Sequence, residues 1–494
     1  MGLLKKNFGL ALLAGLSCVF GFAPLGIFPV PVLALAVLFA LWLRAGSPRE
    51  AAWLGFAFGL GLFCAGTGWI YVALHDYGDM PILLALPATL LFCAFLALFT
   101  ALVGYAQARI PAAYGLRTLL VMPAAWVSVE WLRGMIFTGF PWLTLGYAHS
   151  DSPLAGYAPV LGVYGVSLVA AISAGLMVSL WQAARLKKPW KLALGILVML
   201  WGAGALMRTI AWTEPHGEPF TVALVQGNIA QNLKFNEDAL VGTLETYRRL
   251  ASQSEARLTV LPETALPLLR HEVPENYVQR MRDHARQNGG DMLIGVFERS
   301  NGSYYNSVFT LGSADEQYYR KHHLVVFGEF IPLRPLLGWF INGVLDIPMG
   351  DLARGDARQT PLNVAGQKVA VNICYEDAFG EEIIRALPEA TLLVNVTNDA
   401  WYGHSYAAAQ HNQISQMRAL ETGRMMLRAT NTGVTSIIGV DGKVLQQLPQ
   451  HVEAVLLGVA QGYQGITPYV RWGNAAVLLL IALMLAGAWA AVKR

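Results

Sequence analysis

Charged residues are scarce in this sequence. Asp, Glu, Lys and Arg make up 14% of its 494 residues, whereas 55% are hydrophobic and the mean hydropathy is +0.44. Soluble globular proteins contain about 25% charged residues, so this composition excludes an ordinary water-soluble protein and also a disordered chain. Internal repeats and low-complexity linkers are absent from the sequence as well. The length suffices for roughly three domains.

The few charges are unevenly distributed along the chain. Residues 1–210 contain 12 Lys or Arg and 5 Asp or Glu, whereas residues 211–470 contain 20 Lys or Arg and 27 Asp or Glu. The chain therefore divides into an apolar part and a more polar, mildly acidic part. Because nucleic-acid binding needs clustered cations, the acidic balance of the polar part argues against a nucleic-acid partner.

Cysteine is also rare, with four in the whole chain. Cys18, Cys64 and Cys93 lie in apolar runs, where cysteine behaves as a small apolar residue. Cys374 is the only cysteine of the polar part, so a disulfide framework is excluded there.

Apolar runs long enough to cross a bilayer occur in the first part and at the far C-terminus. A bilayer core about 30 Å thick requires about 20 apolar residues in a helix. Residues 8–43 carry no charge, but three prolines interrupt them and predict two helices there. The alternative for the first helix is a cleaved signal peptide, but no convincing small-residue cleavage site follows it. In total the sequence predicts about eight transmembrane helices, near residues 8–23, 28–43, 51–74, 80–108, 117–137, 156–184, 191–211 and 472–492.

Positive charges lie mainly at alternate ends of these predicted helices. Twelve Lys or Arg residues lie at one set of ends, and two at the other, where three Asp residues occur. Because cytoplasmic loops are enriched in Lys and Arg, both termini are predicted to be cytoplasmic and the polar part periplasmic. This gives seven helices in residues 1–211, a periplasmic domain at residues 212–470, and an eighth helix with a cytoplasmic tail at residues 471–494.

Short apolar segments alternate with amphipathic ones in the polar part. Strands are predicted near residues 220–226, 258–262, 292–297, 305–311, 317–320, 368–373 and 392–395, and as a hairpin of 435–440 with 443–448. Helices are predicted near residues 238–253, 276–287, 380–387 and 411–424. Interleaved strands and helices are typical of a layered α/β domain.

The lone cysteine of the polar part lies between a predicted strand and a predicted helix. Cys374 follows the predicted strand 368–373 and comes just before the predicted helix 380–387. In an oxidising compartment such a thiol is either buried and inert or used in chemistry. A strand-to-helix turn exposes a nucleophile and directs N–H groups toward developing negative charge, so the position favours the chemical role.

Two further charged residues also follow predicted strands. Glu263 lies just after strand 258–262, and Lys321 lies just after strand 317–320. Alone, each is typical of a solvated charge at a strand end. Together with Cys374 they form an acyl-transfer set in which the thiol attacks, the glutamate moves protons and the lysine stabilises the anion. We also expect Lys321 to lower the pKa of the Cys374 thiol.

Two other interpretations use histidines. A rival Cys-His arrangement pairs Cys374 with His404 or His411, and it would tolerate loss of Lys321. His322 and His323 are possible metal ligands, but no second His or Cys cluster with metal-ligand spacing occurs in the sequence. We therefore expect neither a metal nor a cofactor.

The ordered set Glu263, Lys321 and Cys374 resembles the Glu-Lys-Cys triad of the nitrilase superfamily, the carbon–nitrogen hydrolases, over about residues 220–465. Further motifs similar to that family lie at residues 225–229, 261–267, 305–307, 321–324, 328–332, 373–376, 395–401 and 418–421. Together with the predicted membrane helices, they make the whole chain resemble the bacterial apolipoprotein N-acyltransferases, a membrane-embedded family of that superfamily.

The resemblance implies a multi-pass helical membrane domain with a four-layer αββα sandwich. It also implies an activity in the bacterial inner membrane, namely transfer of a phospholipid acyl chain, through a cysteine thioester, to the N-terminal amine of diacylglyceryl-cysteine in an apolipoprotein. The implied partners are the phospholipid donor, the apolipoprotein acceptor and the bilayer. Phe235 and His404 depart from the family pattern, where Trp and Asp are expected, and this leaves details of the substrate loops open.

Two other classes of function remain open. One is a membrane-tethered amidase or nitrilase that has the same triad and uses water as acceptor. The other is a transporter with a sensor domain, which the small number of charges in the predicted helices disfavours.

Further residues are assigned supporting roles. Glu329 and Glu376 are predicted to orient Lys321 and the thiol, although either is also typical of an exposed charge. Asn306, in a matching motif, and Tyr375, beside the cysteine, complete the set, and Tyr375 is more typical of a packing residue.

Residues 331–341 form an apolar run too short to span a bilayer and too apolar for an ordinary surface loop. Because the run closely follows Lys321, we predict a mobile flap in the outer leaflet. The alternative is a loop buried in the domain core. The residues predicted to face lipid are Leu336, Leu337, Trp339 and Phe340.

Overall fold

The computed structural model describes residues 2–187, 189–234, 236–331 and 351–493, and these residues fall into two compact units. The first unit comprises residues 2–71, 82–210 and 471–493. The second comprises residues 211–470 together with Val72–Pro81, a segment that lies between two apolar helices in the sequence.

Helices occur at all eight segments where the sequence predicts them. Together with two short helices, the fourth and the sixth, these helices in chain order are α1 (Gly2–Cys18), α2 (Pro29–Trp42), α3 (Pro48–Thr67), α4 (Ile70–His75), α5 (Ile82–Arg109), α6 (Tyr114–Leu116), α7 (Met122–Arg133), α8 (Ala158–Leu186) and α9 (Lys191–Met207), with Ala475–Val492 at the C-terminus.

Four helices of the described chain are long and apolar enough to cross a membrane: Pro48–Thr67, Ile82–Arg109, Pro153–Leu186 and Ala475–Val492. This number is smaller than the predicted eight for reasons of length. α2 and α9 are apolar but have 14 and 17 residues, fewer than the roughly 20 that span a bilayer core. The fifth predicted helix is divided by a π-helical turn at Arg117–Val121, which leaves 12 residues in α7.

Glycines allow the helices of the first unit to pack closely. A Cβ added to Gly55 of α3 would lie 2.3 Å from the carbonyl oxygen of Thr100 in α5. A Cβ added to Gly15 of α1 would lie 1.9 Å from the carbonyl oxygen of Phe58 in α3. Small residues at such contacts are typical of helix packing in membranes, where close backbone approach replaces hydrophobic burial.

Large apolar side chains lie on the outside of these helices. Leu83 is 83% exposed and Leu192 is 77% exposed, and many other leucines share this property. Water would make so much apolar surface unfavourable, whereas lipid accommodates it. The first unit therefore has the surface of a membrane protein.

Two β-sheets form the centre of the second unit. The strands in chain order are β1 (Thr213–Gln226), β2 (Leu258–Val260), β3 (Leu266–Leu269), β4 (Asp291–Ser300), β5 (Ser303–Gly312), β6 (Tyr318–Arg320), β7 (Leu362–Val364), β8 (Gln367–Ile373), β9 (Leu392–Thr397), β10 (Met426–Thr430), β11 (Ser436–Ile438), β12 (Val444–Gln447) and β13 (Ala454–Gly465). One sheet has the order β13-β1-β2-β4-β5-β6, with β3 paired to β4, and the other has the order β12-β11-β10-β9-β8-β7.

Helices cover both sheets. α10 (Glu237–Ala251) and α11 (Glu275–Gln287) share an apolar core with the first sheet, which includes Leu244, Met281 and Ile294. α12 (Gly380–Ile383) and α13 (Ala407–Thr422) cover the second, in a core that includes Ile383, Ala419 and Met426. Because β1 packs against β10 and β13 against β9, the order of layers is the implied αββα.

The sequence prediction missed four strands, β3, β7, β10 and β13. The predicted hairpin is confirmed, since β11 pairs with β12 in antiparallel fashion. The predicted helix 411–424 begins earlier, at Ala407, and ends at Thr422, where Gly423 takes up a left-handed conformation with a φ of 62°.

Parallel strands bring their carboxyl ends to a common edge of each sheet. β8, β9 and β10 run parallel in the second sheet, and β1, β2 and β4 run parallel in the first. In open α/β sheets, ligands bind outside the carboxyl ends of the strands. Glu263 follows β2 and Cys374 follows β8, so both lie at such ends.

Candidate active site

Glu263 is buried three residues beyond β2, with 7% of its surface exposed. Its Oε1 accepts hydrogen bonds from Asn306 Nδ2 at 2.7 Å and Lys321 Nζ at 3.2 Å. Its Oε2 accepts one from the backbone N–H of Asn398 at 2.9 Å. Burial raises the pKa of Glu263, but the ammonium groups of Lys321 and Lys234 outweigh burial and hold it below its usual value. The carboxylate is therefore ionised and able to accept a proton.

Lys321 follows β6 directly and is 1% exposed. Its ammonium lies between two carboxylates, 3.2 Å from Glu263 Oε1 and 2.9 Å from Glu329 Oε1. Burial lowers the pKa of Lys321, but these two carboxylates hold it well above its usual value. Glu263 is thus next to a fixed positive charge, and Glu329 contacts the same ammonium group.

Glu329 and Asn306 both support this pair. Glu329 Oε2 accepts a hydrogen bond from the Val325 amide at 2.8 Å, which fixes the carboxylate. Asn306 lies on β5 and donates through Nδ2 to Glu263 at 2.7 Å and to Glu329 at 3.1 Å. Both residues touch the glutamate or lysine that they were predicted to support.

Cys374 directly follows β8 and has a left-handed backbone conformation with a φ of 56°, which is rare for a residue other than glycine. Its carbonyl oxygen accepts hydrogen bonds from Asn395 Nδ2 at 3.0 Å and His411 Nε2 at 3.3 Å, and these bonds hold the turn. Such a strained turn after a strand is typical of a positioned nucleophile.

Burial dominates the electrostatics of the thiol. Burial and the charge of Glu263 raise the pKa of Cys374 above its usual value, and the lowering by Lys321 and by a hydrogen bond with Thr397 is smaller. Lys321 does lower the thiol pKa, as predicted, but burial and Glu263 outweigh it, so the net shift is upward. Cys374 is a neutral thiol at rest and needs a base to become a nucleophile.

Glu376 lies in the short 3₁₀ helix Cys374–Ala378, and its carboxylate is saturated with donors. Oε1 accepts from the amides of His322 and His323, while Oε2 accepts from the Ile373 amide and the Tyr319 hydroxyl. It therefore ties the segment after Lys321 to the strand end before Cys374. Tyr375, in contrast, packs edge-on against Phe379 with ring centroids 5.2 Å apart.

The rival histidines have other contacts. His411 is fully buried, with Nδ1 2.8 Å from Asp399 Oδ1 and Nε2 2.9 Å from Asp377 Oδ1. His404 lies against the ring of His451, with centroids 3.9 Å apart. The nitrogens of His411 thus face carboxylates and the Cys374 carbonyl, an arrangement that suits a structural role.

His322 and His323 also have local partners. His322 Nδ1 lies 2.8 Å from the Gly355 carbonyl oxygen, and His323 stacks on Phe379 with centroids 3.6 Å apart. Within the residues that the structure describes, no group of three or more His, Cys, Asp or Glu is arranged to hold a metal ion. The four residues predicted to face lipid and Phe235 lie outside the described residues, so the flap remains a prediction.

A buried charge network that contacts the backbone carbonyl of Cys374 was not predicted from the sequence. Arg428 on β10 bonds to Asp377 at 3.2 Å, to Asn395 Oδ1 at 2.7 Å and to Asp399 at 3.0 Å, and all of these side chains are buried. Asn395 and His411 also hold the Cys374 carbonyl, so the network supports the strained turn of the nucleophile. In the sequence, the one indication of this network is Asp399, which lies in the motif 395–401.

The network predicts a pH dependence of stability. Burial and Arg428 lower the pKa of His411, but Asp377 and Asp399 outweigh them and raise it to about 9, above its unfolded value near 6.5. Because the folded state binds this proton more tightly, the stabilisation is complete below about pH 6.5 and is lost as the pH rises through about 9. The melting temperature of wild type minus that of His411→Gln should therefore fall between these pH values. A difference that stays constant or grows with pH would contradict this charge assignment.

Comparisons with known proteins agree over nearly the whole chain. Residues 14–176 match the family model for the apolipoprotein N-acyltransferase N-terminal domain, and residues 221–461 match that for carbon-nitrogen hydrolases. Apolipoprotein N-acyltransferase of Nitrosomonas europaea is 52% identical over 483 residues, which cover 97% of this chain and 96% of that one. The Chromobacterium violaceum protein of the same name is 46% identical over 487 residues, or 96% and 93% of the two chains.

A solved structure is similar at a lower level. A carbon–nitrogen hydrolase superfamily protein of Xanthomonas campestris, with an arsenic adduct in its active site, is 18% identical and covers 49% of this chain and 91% of its own, with a TM-score of 0.39. The full-length matches decide the assignment, because they span both the apolar helices and the α/β domain. This chain belongs to the apolipoprotein N-acyltransferase family.

Proposed function

We propose that this protein transfers an acyl chain from a membrane phospholipid, through a thioester on Cys374, to the N-terminal amine of diacylglyceryl-cysteine in an apolipoprotein. The observation that supports this most is the buried Glu263–Lys321 pair beside a neutral thiol on a strained turn. The same chain contains helices with exposed apolar surface, as access to a lipid substrate requires.

The first half-reaction forms the acyl-enzyme. Glu263 takes the proton from Cys374 Sγ, and the thiolate attacks the carbonyl carbon of the phospholipid ester, so a C–S bond forms. The ammonium of Lys321 stabilises the negative charge on the carbonyl oxygen of the tetrahedral intermediate. The C–O bond then breaks, and Glu263 returns the proton to the leaving alkoxide, which departs as lysophospholipid.

The second half-reaction regenerates the thiol. The neutral N-terminal amine of the lipoprotein attacks the thioester carbonyl and passes a proton to Glu263. The C–N bond forms, the C–S bond breaks, and the proton returns from Glu263 to the thiolate of Cys374. An α-amino group has a pKa near 8, so a useful neutral fraction exists at physiological pH. Conversion of a thioester to an amide is downhill and needs no nucleotide.

The proposal includes a membrane topology. Eight helices span the inner membrane, with both termini in the cytoplasm, and residues 212–470 form the periplasmic catalytic domain. The asymmetric distribution of Lys and Arg among the loops supports this orientation. The short helices α2 and α9 need thinned bilayer or flanking residues to complete their spans.

A thiol at exposed Ser313, introduced as Ser313→Cys, should react with a membrane-impermeant maleimide in spheroplasts. The matched control is Arg49→Cys, on the opposite side in the proposed topology, which should react only after the membrane is permeabilised. Labelling of Ser313→Cys only after permeabilisation would reverse the orientation.

The proposed reaction is separable from hydrolysis by following the acyl chain. Purified protein is given phospholipid with a labelled acyl chain and a diacylglyceryl-cysteine peptide. The proposal predicts label in an amide on the peptide, with lysophospholipid as the other product. Label only in free fatty acid, with the peptide unmodified, would instead assign the protein to the water-using hydrolases.

A further inference from the structure

A second lysine lies buried beside the catalytic pair. Lys234 follows the 3₁₀ turn Gln231–Leu233 and is 4% exposed. Its ammonium donates to the backbone carbonyl oxygen of Glu263 at 3.2 Å, and this is its one hydrogen bond within the described part of the chain. An ammonium with a single neutral acceptor is costly to bury, so its charge needs another explanation.

Two nearby carboxylates explain why a charged Lys234 is buried here. Glu263 and Glu329 accept from the same two donors, Lys321 Nζ and Asn306 Nδ2, and both do so through Oε1. Two carboxylates therefore share one ammonium in a buried site. Like charges held this close disfavour ionisation of both groups unless a further positive charge is present.

We propose that Lys234 is a positioning residue that supplies this second positive charge and so keeps Glu263 ionised as the base for Cys374. The proposal deepens the proposed function and rests on it, because only in that mechanism does Glu263 take the thiol proton. The bond from Lys234 to the Glu263 carbonyl also fixes the backbone where Thr264 takes up a φ of 45°.

The electrostatics of the site agree with this role. The lowering of the pKa of Glu263 comes first from Lys321 and next from Lys234. Burial lowers the pKa of Lys234 to about 8, despite the opposing effects of Glu263 and Cys374, so Lys234 keeps most of its charge below that pH. The other titratable groups that act on this cluster are Lys321, Glu329, Glu376, Tyr402 and Asp399. Tyr402 remains neutral, because burial raises its pKa well above the usual value.

The test is the pH dependence of thioester formation on Cys374 from labelled phospholipid, without acceptor, in the full-length protein. Lys234→Met should raise the midpoint of the acid limb of the pH–rate profile by about one pH unit. The rate of thioester formation should then fall about tenfold at pH values below both midpoints, and by less at the plateau. Lys234→Arg keeps the charge and should retain the wild-type midpoint. A loss in Lys234→Met that is equal at every pH, or an unchanged midpoint, would overturn the proposal.

The carboxylate partner provides a second test. Adding Glu329→Gln to Lys234→Met removes one of the two competing negative charges and should return the midpoint toward the wild-type value. If Lys234→Met does not fold, Lys234→Gln, which keeps a donor for the Glu263 carbonyl but not the charge, should have a higher midpoint than Lys234→Arg, and equal midpoints would overturn the proposal. A wild-type protein that forms no thioester at any pH would instead contradict the proposed function itself.

Discussion

Replacing Lys321 with methionine should slow formation of the acyl-enzyme by about 10²–10³-fold, the usual effect of removing an oxyanion donor. The ammonium is buried between Glu263 and Glu329, so no solvent cation replaces it. Glu263→Gln keeps the shape of the side chain but removes the base, and should cost about 10²–10⁴-fold. The measurement is the rate at which label from a phospholipid appears on the protein.

Lys368→Met is the matched control for this experiment. Lys368 lies on β8, the strand that leads to Cys374, but its side chain is exposed. This variant should label at about the wild-type rate. Near-wild-type labelling in Lys321→Met would favour the rival arrangement in which a histidine activates the cysteine.

Arg428→Met should destabilise the catalytic domain by about 3–5 kcal/mol, because it leaves Asp377 and Asp399 buried with less compensating charge. The expected result is a fall of about 10 °C in the melting temperature of the detergent-solubilised protein. The variant should also label slowly, since the network holds the carbonyl of Cys374.

A surface pair provides the comparison for Arg428. Lys443 and Asp441 lie 2.9 Å apart with side chains 64% and 43% exposed, so Lys443→Met should change stability by less than about 1 kcal/mol. If Arg428→Met melts at the same temperature as Lys443→Met, the buried network does not stabilise the fold as its geometry implies.

The parts predictable from sequence are those carried by local patterns. Apolar runs located the long helices of the first unit, and alternation located most strands of the α/β domain. Residues such as Glu263, Lys321 and Cys374 could be chosen because each follows a strand, and ends of parallel strands meet at one edge. The strand order then brings these three residues close together.

The missed features depend on long-range pairing. β10 was missed because Arg428 lies at its centre, and a charge in the middle of a short apolar segment does not suggest a buried strand. Contacts with Asp377 and Asp399, 51 and 29 residues away, explain how the charge of Arg428 is buried. β13 contains three glycines, which weaken its strand pattern, and is fixed by pairing with β1 across the domain.

The site also contains properties that no motif encodes. Lys234 lies in a short turn, and its approach to Glu263 depends on how that turn packs against the end of β2. The thiol pKa depends on the balance between burial and two opposite charges, Glu263 and Lys321. The sequence predicts the lowering by Lys321, but the larger effect of burial on Cys374 depends on the folded structure.

The thioester mechanism is tested most directly by looking for the acyl chain on Cys374. The protein, with Cys18, Cys64 and Cys93 replaced, is incubated with acyl-labelled phospholipid and no acceptor, then analysed by intact mass and peptide mapping. We expect one added acyl group on the peptide containing Cys374, removed by hydroxylamine, and none in folded Cys374→Ala. Hydroxylamine-sensitive acylation that persists in Cys374→Ala, or wild-type protein that never acquires the acyl group, would contradict this mechanism.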